Sequence, residues 1–151
     1  MKLTSSVIVA ISGAVVAVVM STTTPVKADY TVVNGAIEKS LTGKPGNSIN
    51  GKKIAIKRKK GNCLACHAMP IPDQQFHGEV GPDLSGVASR YSAGELRARI
   101  VNPKLINAST IMPAFLKSQG LHRSLDKFKG KTILSAQEIE DVISYLMTLK
   151  E

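Results

Sequence analysis

The chain contains few of the residues that usually fill or cross-link the core of a small protein. Its 151 residues include two cysteines, no tryptophan, three Phe and three Tyr. Two cysteines exclude a disulfide-dense framework and any Cys₄ zinc site. His77 and His122 are too far apart for the His-x₃₋₅-His half of a zinc finger. The side chains therefore offer little large, flat apolar surface around which a core could form.

Long hydrophobic runs are also scarce, and the clearest one lies near the start of the chain. The segment 7–20 is apolar and uncharged, follows Lys2, and is ended by the polar residues 21–25. A membrane span needs roughly 17–25 apolar residues, so a transmembrane anchor is the weaker interpretation. Small residues at 26–28 fit a cleavage site. We predict a secretory signal at 1–28, export to the periplasm, and no membrane span in the mature chain.

Acidic residues are outnumbered, at 11 against 20 basic residues, which gives a formal net charge of +9. The imbalance is concentrated between residues 41 and 62, where basic residues occur without any acid. Such a segment is either a docking surface for an acidic partner or a solvated helix face. Nucleic acid is not an expected partner, because an exported protein would not meet it.

The two cysteines lie together in the stretch Cys63-Leu64-Ala65-Cys66-His67. C-x-x-C-H is the attachment signature of a c-type haem. Its thiols can bond to the two vinyl groups of one haem, and the adjacent imidazole can bind the iron. A thioredoxin-like motif would follow a β-strand, whereas this one follows a lysine-rich segment. We predict one covalent haem, held by Cys63 and Cys66 and ligated by His67, which would also supply the missing apolar body of the core.

The rest of the mature chain has helical signals and no clear strand pattern. Helices are expected at 48–60, 91–102 and 135–149, the last two starting with the capping boxes Ser92–Glu95 and Ser135–Glu138. Ser48 or Asn50 is the expected cap of the first helix. Loops are expected at 69–84 and 103–131. We divide the chain into a signal at 1–28, a loosely packed or partner-ordered extension at 29–47, and one all-α domain at 48–151.

A haem iron bound by His67 needs a second axial ligand from elsewhere in the chain. Met112 lies in the 103–131 loop and precedes a proline, which favours an extended backbone at Met112. Met69 is too close to His67 to reach the other haem face, and Met147 falls on the apolar stripe of the last helix. We predict Met112, with His77 and His122 as weaker candidates.

At this point the sequence resembles the class I c-type cytochromes and, among them, the SoxX family of sulfur-oxidation cytochromes. The resemblance runs from about residue 50 to 151. The stretches that carry it are KGNCLACH at 60–67, GPDLSGV at 81–87, ELRARIV at 95–101, MPAF at 112–115, GLHR at 120–123 and FKGKTILSAQEIEDV at 128–142.

The resemblance implies a fold and a role. The fold is a class I cytochrome c-like domain wrapped around one covalently bound haem, in which the carbonyl of Pro82 accepts a hydrogen bond from the His67 imidazole. SoxX pairs with the catalytic cytochrome SoxA, and the pair oxidatively joins thiosulfate to a cysteine of the carrier SoxYZ. The X subunit then passes electrons to an acceptor, often another small cytochrome c.

Two other interpretations remain open from the sequence. One is a free-standing electron shuttle to an oxidase, which would not need the FKGKTILSAQEIEDV stretch at 128–142. The other is a haemless thiol redox protein or metal protein that uses the same two cysteines.

Overall fold

The computed structural model describes residues 29–122 and 124–151, so the expected signal at 1–28 lies outside the described residues. Four α-helices follow one another: α1 (Ser48–Ile56), α2 (Val87–Arg90), α3 (Ala93–Val101) and α4 (Ala136–Leu146). Short 3₁₀ helices lie at Cys63–Ala65, Pro103–Leu105 and Asp126–Phe128. The described residues form no β-strand, only an isolated bridge between Val33 and Ala36. The all-α prediction is therefore confirmed.

No helix of the described residues is both long and apolar enough to cross a bilayer.

The starts of α3 and α4 are formed as their sequences predict. The Ser92 hydroxyl accepts from the Glu95 backbone N–H at 3.2 Å, and the Glu95 carboxylate accepts from the Ser92 N–H at 2.8 Å. Ser135 and Glu138 form the same reciprocal pair at the start of α4. Each cap satisfies backbone donors that the first helical turn leaves without partners, and a cap of this kind typically stabilises a protein by ~1 kcal/mol.

Helix α1 begins at Ser48, as predicted, but its cap and its last residue differ from the prediction. Asn47, rather than Ser48 or Asn50, is the cap, and its side chain accepts from the backbone of Asn50 at 3.0 Å. The helix stops at Ile56 because Lys57 adopts an extended conformation, with φ −70° and ψ 114°. The chain then turns back, and the Gly61 N–H donates to the carbonyl of Ile54 at 3.2 Å. This early turn brings the next segment, which contains both cysteines, against the end of α1.

Helices α1 and α4 pack closely at a glycine. A Cβ atom at Gly51 would overlap the backbone carbonyl of Asp141 and lie 2.9 Å from Cβ of Tyr145. Glycine is thus the residue that allows the two helices to approach. Asp141 also joins them by polar contacts, because its carboxylate accepts from the Asn47 N–H at 2.8 Å and from the Asn50 side chain at 2.6 Å.

The prediction that residues 29–47 are loosely packed is wrong. Ile37 is only 2% exposed and belongs to the hydrophobic core. Its N–H donates to the carbonyl of Gly94 in α3 at 3.0 Å. Arg97 of α3 and Glu140 of α4 form a buried ion pair that also holds this segment. The Arg97 guanidinium donates to the Ile37 carbonyl, and the Glu140 carboxylate accepts from the Leu41 N–H at 2.8 Å.

The long connection between α3 and α4 is irregular, as predicted, and is fastened to α3. The Phe115 N–H donates to the carbonyl of Ile100 at 3.1 Å, and the Leu134 N–H donates to the carbonyl of Phe115 at 3.0 Å. Phe115 and Leu134 are both buried. The connection thereby passes across one end of the helical core and closes the side of the cavity described next.

Candidate haem site

The attachment motif forms one tight turn directly after α1. Asn62 takes a left-handed conformation, with φ +50°, and Cys63–Ala65 form a single 3₁₀ turn. The Cys63 carbonyl accepts from the N–H groups of Cys66 at 3.1 Å and His67 at 2.9 Å. Both thiols and the imidazole are therefore held on one compact stretch of backbone, as attachment to a single haem requires.

The imidazole of His67 is oriented by the Gly81-Pro82 turn. Its Nδ1 atom lies 2.7 Å from the carbonyl oxygen of Pro82. A carbonyl only accepts, so Nδ1 carries the proton and Nε2 is left as the metal-binding nitrogen. Gly81 lies against the ring, and a Cβ atom there would come 2.6 Å from Nδ1. A larger residue at Gly81 would force the imidazole out of this orientation.

A cavity of about 390 Å³ opens beside this imidazole. Cys63, His67, Pro82 and Met112 all contribute to its wall. The remaining lining is mostly apolar and includes Leu84, Val87, Leu96, Ile100, Pro103, Ile106, Phe115, Leu134, Val142 and Leu146. A concave, largely apolar wall with a few convergent polar groups is typical of a cofactor site.

Met112 is held in this wall by the connection between α3 and α4. Its backbone N–H donates to the Thr110 hydroxyl at 3.2 Å, and Phe115, three residues later, is fixed to α3. The competing ligand candidates lie elsewhere. Met69 is buried in the core. His77 contacts Met69, whose backbone N–H donates to the His77 Nδ1 atom at 3.2 Å. His122 is exposed. Met147 lines a separate groove beside Arg97 and Glu140.

The two cysteines differ in environment. Cys63 lines the cavity, and burial raises the pKa of its free thiol to about 11. Cys66 is exposed and is not part of the cavity wall, although it adjoins His67 in the chain. A free thiol at Cys63 would stay protonated at neutral pH, so this site suits an uncharged sulfur, as a thioether is.

The cavity also contains polar residues that the sequence did not point to, chiefly Tyr91, Arg90 and Arg99. Arg99 lines the cavity together with Leu96 and Ile100 of the same helix, because it adjoins Ile100 at the edge of the apolar face of α3. Asp83 lies at the rim, and a hydrogen bond from the Ser85 backbone lowers the pKa of its carboxyl group.

The cavity suits a haem better than a bare metal ion. Among residues 29–122 and 124–151, no group of three or more His, Cys, Asp or Glu side chains is placed to hold a metal. The available donors are one imidazole with a fixed tautomer and one thioether, in the wall of an otherwise apolar space. That donor set fits an iron whose other ligands come from a porphyrin.

The chain is similar to known proteins over most of its length. The family model described as cytochrome c matches residues 48–150. A solved structure, the crystal structure of SoxXA from P. pantotrophus, contains a chain that is 43% identical and superposes with a TM-score of 0.75. The match covers 81% of this chain and 95% of that chain. Among curated protein sequences, none matches the chain.

These matches confirm the expected fold and cofactor, and the haemless interpretation is wrong. The chain belongs to the cytochrome c family, and within it to the SoxX-type cytochromes, which transfer electrons through a covalently bound haem c.

Proposed function

We propose that this chain is the electron-transfer subunit of a complex with a SoxA-type cytochrome. The complex would join thiosulfate to a cysteine of a SoxYZ-type carrier. A thiolate and thiosulfate combine to form one S–S bond, and two electrons are released. The haem supplies one-electron oxidation and reduction of its iron, so these electrons leave one at a time. A small cytochrome c or a similar acceptor would then receive them.

Five residues carry the proposed haem site. Cys63 and Cys66 form the two thioether bonds, and His67 binds the iron through Nε2. Pro82 holds the proton of His67 on Nδ1 through the 2.7 Å contact and so keeps Nε2 available. Met112 would supply a second protein ligand to the iron. With His67 and Met112 both bound, no position would remain for thiosulfate, so the substrate chemistry is assigned to the partner.

The observation that carries this proposal is the match to SoxXA, at 43% identity over 81% of the chain. That structure is a complex of an X and an A subunit by its description. The cavity supports it, because the proposed ligands His67 and Met112 both line it, whereas Met69 and Met147 do not. Export through the signal at 1–28 would place the chain in the periplasm, where haem c is attached.

The basic segment after α1 is the proposed steering surface for an acidic partner or acceptor. Lys57, Arg58 and Lys59 are exposed. Lys60 differs, since its ammonium group binds the Glu138 carboxylate at 2.6 Å and so helps to hold the start of α4. Three cations next to Cys63 in the sequence would raise the rate of encounter with a negatively charged protein, and this effect would weaken as salt screens them.

The function is tested by reconstitution with purified components. Thiosulfate-dependent reduction of an added cytochrome c should require this chain, a SoxA-type subunit and the SoxYZ-type carrier together. This chain alone should show no turnover. The double variant Lys57→Glu, Lys59→Glu should slow electron transfer at low salt and have little effect at high salt. Stable purification as a monomer that reduces an oxidase without a partner would instead support the free-standing shuttle.

Haem attachment is tested by mass. The mature protein should carry the mass of one haem on a chain that starts near Asp29. Cys63→Ala or Cys66→Ala should sharply reduce the yield of haem-loaded protein, because one thioether bond is lost in each. Ser89→Ala changes an exposed residue that is not part of the cavity wall, and it should leave the yield unaltered. A haem-free mass for the exported wild-type chain would contradict the assignment of both cysteines.

A further inference from the structure

Arg99 is an arginine of the cavity wall without an ion-pair partner among the described residues. Arg97 is paired with Glu140, and Arg90 lies 3.7 Å from Glu151. Arg99 forms no ion pair with any residue that the structure describes. Its only hydrogen bond to the described residues is from one terminal nitrogen to the carbonyl of Glu95, in the preceding turn of α3, at 3.1 Å.

The guanidinium of Arg99 is nevertheless held in place. Its central carbon lies 4.2 Å from the centroid of the Tyr91 ring, so the two groups are stacked. Tyr91 also lines the cavity, and both side chains are half-buried. The negative face of an aromatic ring attracts a cation placed over it. The hydrogen-bonding edge of Arg99 that Glu95 does not use therefore stays available in a fixed orientation.

A haem places carboxylates in such a site. It is apolar apart from two propionate groups, and a buried carboxylate is costly unless a cation or hydrogen-bond donors satisfy it. Asp83 also lies at the rim of the cavity, and its negative charge would repel a propionate that had no cation beside it. Arg90 is already engaged, because its terminal nitrogens donate to the carbonyls of Ser85 at 2.7 Å and Asp83 at 2.8 Å.

We propose that Arg99, stacked on Tyr91 at the wall of the cavity, binds a haem propionate. The proposal rests on the haem site described above and adds a binding residue to it. Arginine suits this role because its planar donors can hold both oxygens of a carboxylate. Its positive charge beside the haem also favours the reduced iron, which carries one positive charge fewer than the oxidised iron. Arg99 therefore binds the cofactor and raises its reduction potential.

The variants Arg99→Gln and Arg99→Lys of the haem-loaded protein test this assignment. Arg99→Gln should shift the midpoint potential downward. It should also move the carboxylate bands of ¹³C-propionate haem in redox-difference infrared spectra. Arg99→Lys keeps the charge and loses the planar pair of donors, so most of the potential should be retained while the bands still move. Arg58→Gln, at an exposed arginine outside the cavity wall, is the control and should leave the bands unchanged. Arg90→Gln tests the other arginine of the cavity wall.

The outcomes separate this proposal from the haem site on which it rests. An unchanged near-infrared band of a sulfur–iron bond in the Arg99 variants shows that the axial ligands are intact. If the propionate bands respond to Arg90→Gln and not to Arg99→Gln, the assignment to Arg99 is overturned. An experimental structure of the haem-loaded wild-type chain decides the matter even if a variant fails to fold. It should place an Arg99 nitrogen about 2.7–2.9 Å from a propionate oxygen, and any other partner for that guanidinium refutes the proposal.

Discussion

Replacing Arg97 with leucine should lower the free energy of unfolding by about 3–5 kcal/mol, because the Glu140 carboxylate would be left buried without a cation. The side chains of Arg97 and Glu140 are 8% and 5% exposed, and two hydrogen bonds of 2.8 and 3.1 Å join them. The loss extends beyond the pair, since Arg97 also donates to the carbonyl of Ile37. Urea unfolding of the haem-loaded protein, followed by far-ultraviolet circular dichroism, measures the change.

Two further variants make this test specific to the buried pair. Arg58→Leu removes an exposed arginine and should change the free energy of unfolding by no more than about 0.5 kcal/mol. The double variant Arg97→Leu, Glu140→Leu removes both charges and should recover much of the loss, because no buried charge is then left unpaired. A loss for Arg97→Leu no greater than that for Arg58→Leu would show that the pair does not hold the structure together.

This ion pair also explains why the packing of residues 29–47 could not be predicted from the sequence. Val33 and Leu41 flank Ile37 at helical spacing, but Gly35 and the glycines and proline after residue 42 are typical of a loop. Its burial depends on Arg97 and Glu140, which lie far along the chain and which look like ordinary surface charges on their helices. Only the folded contact between α3 and α4 shows that the two charges face each other and receive the backbone of the extension.

The sequence alone was sufficient to predict those features whose residues all lie within one short stretch. The capping boxes at Ser92 and Ser135 formed as predicted, because both members of each box lie within one turn. The cavity wall was harder to predict, since it gathers residues from five parts of the chain: the attachment motif, residues 82–91, α3, the connection between α3 and α4, and α4. His67 and Met112 could be chosen by their chemistry, whereas Arg99 needed the helix to be seen in place against the cavity.

The second large effect concerns the proposed iron ligand Met112 and the reduction potential of the haem. Met112→Ala should abolish the weak near-infrared charge-transfer band of the oxidised protein and lower the midpoint potential by on the order of 0.1 V or more, as axial ligands set haem potentials over a range of about 0.8 V. A thioether is a soft ligand that favours the reduced iron, and water or a nitrogen ligand in its place favours the oxidised iron. Spectroelectrochemical titration measures both quantities on one sample.

The other methionines of the mature chain provide matched controls. Met69→Leu and Met147→Leu conserve volume, so each should cost less than about 1.5 kcal/mol of stability and leave the band and the potential unchanged. Met69 is 4% exposed in the core, and Met147 lines the groove beside the buried ion pair. If the band disappeared in either control and was retained in Met112→Ala, the sulfur ligand would be the methionine replaced in that control, and the assignment to Met112 would be wrong. Retention of the band in all three variants would mean that no methionine of the mature chain is required for it, and would remove the thioether from the proposed site.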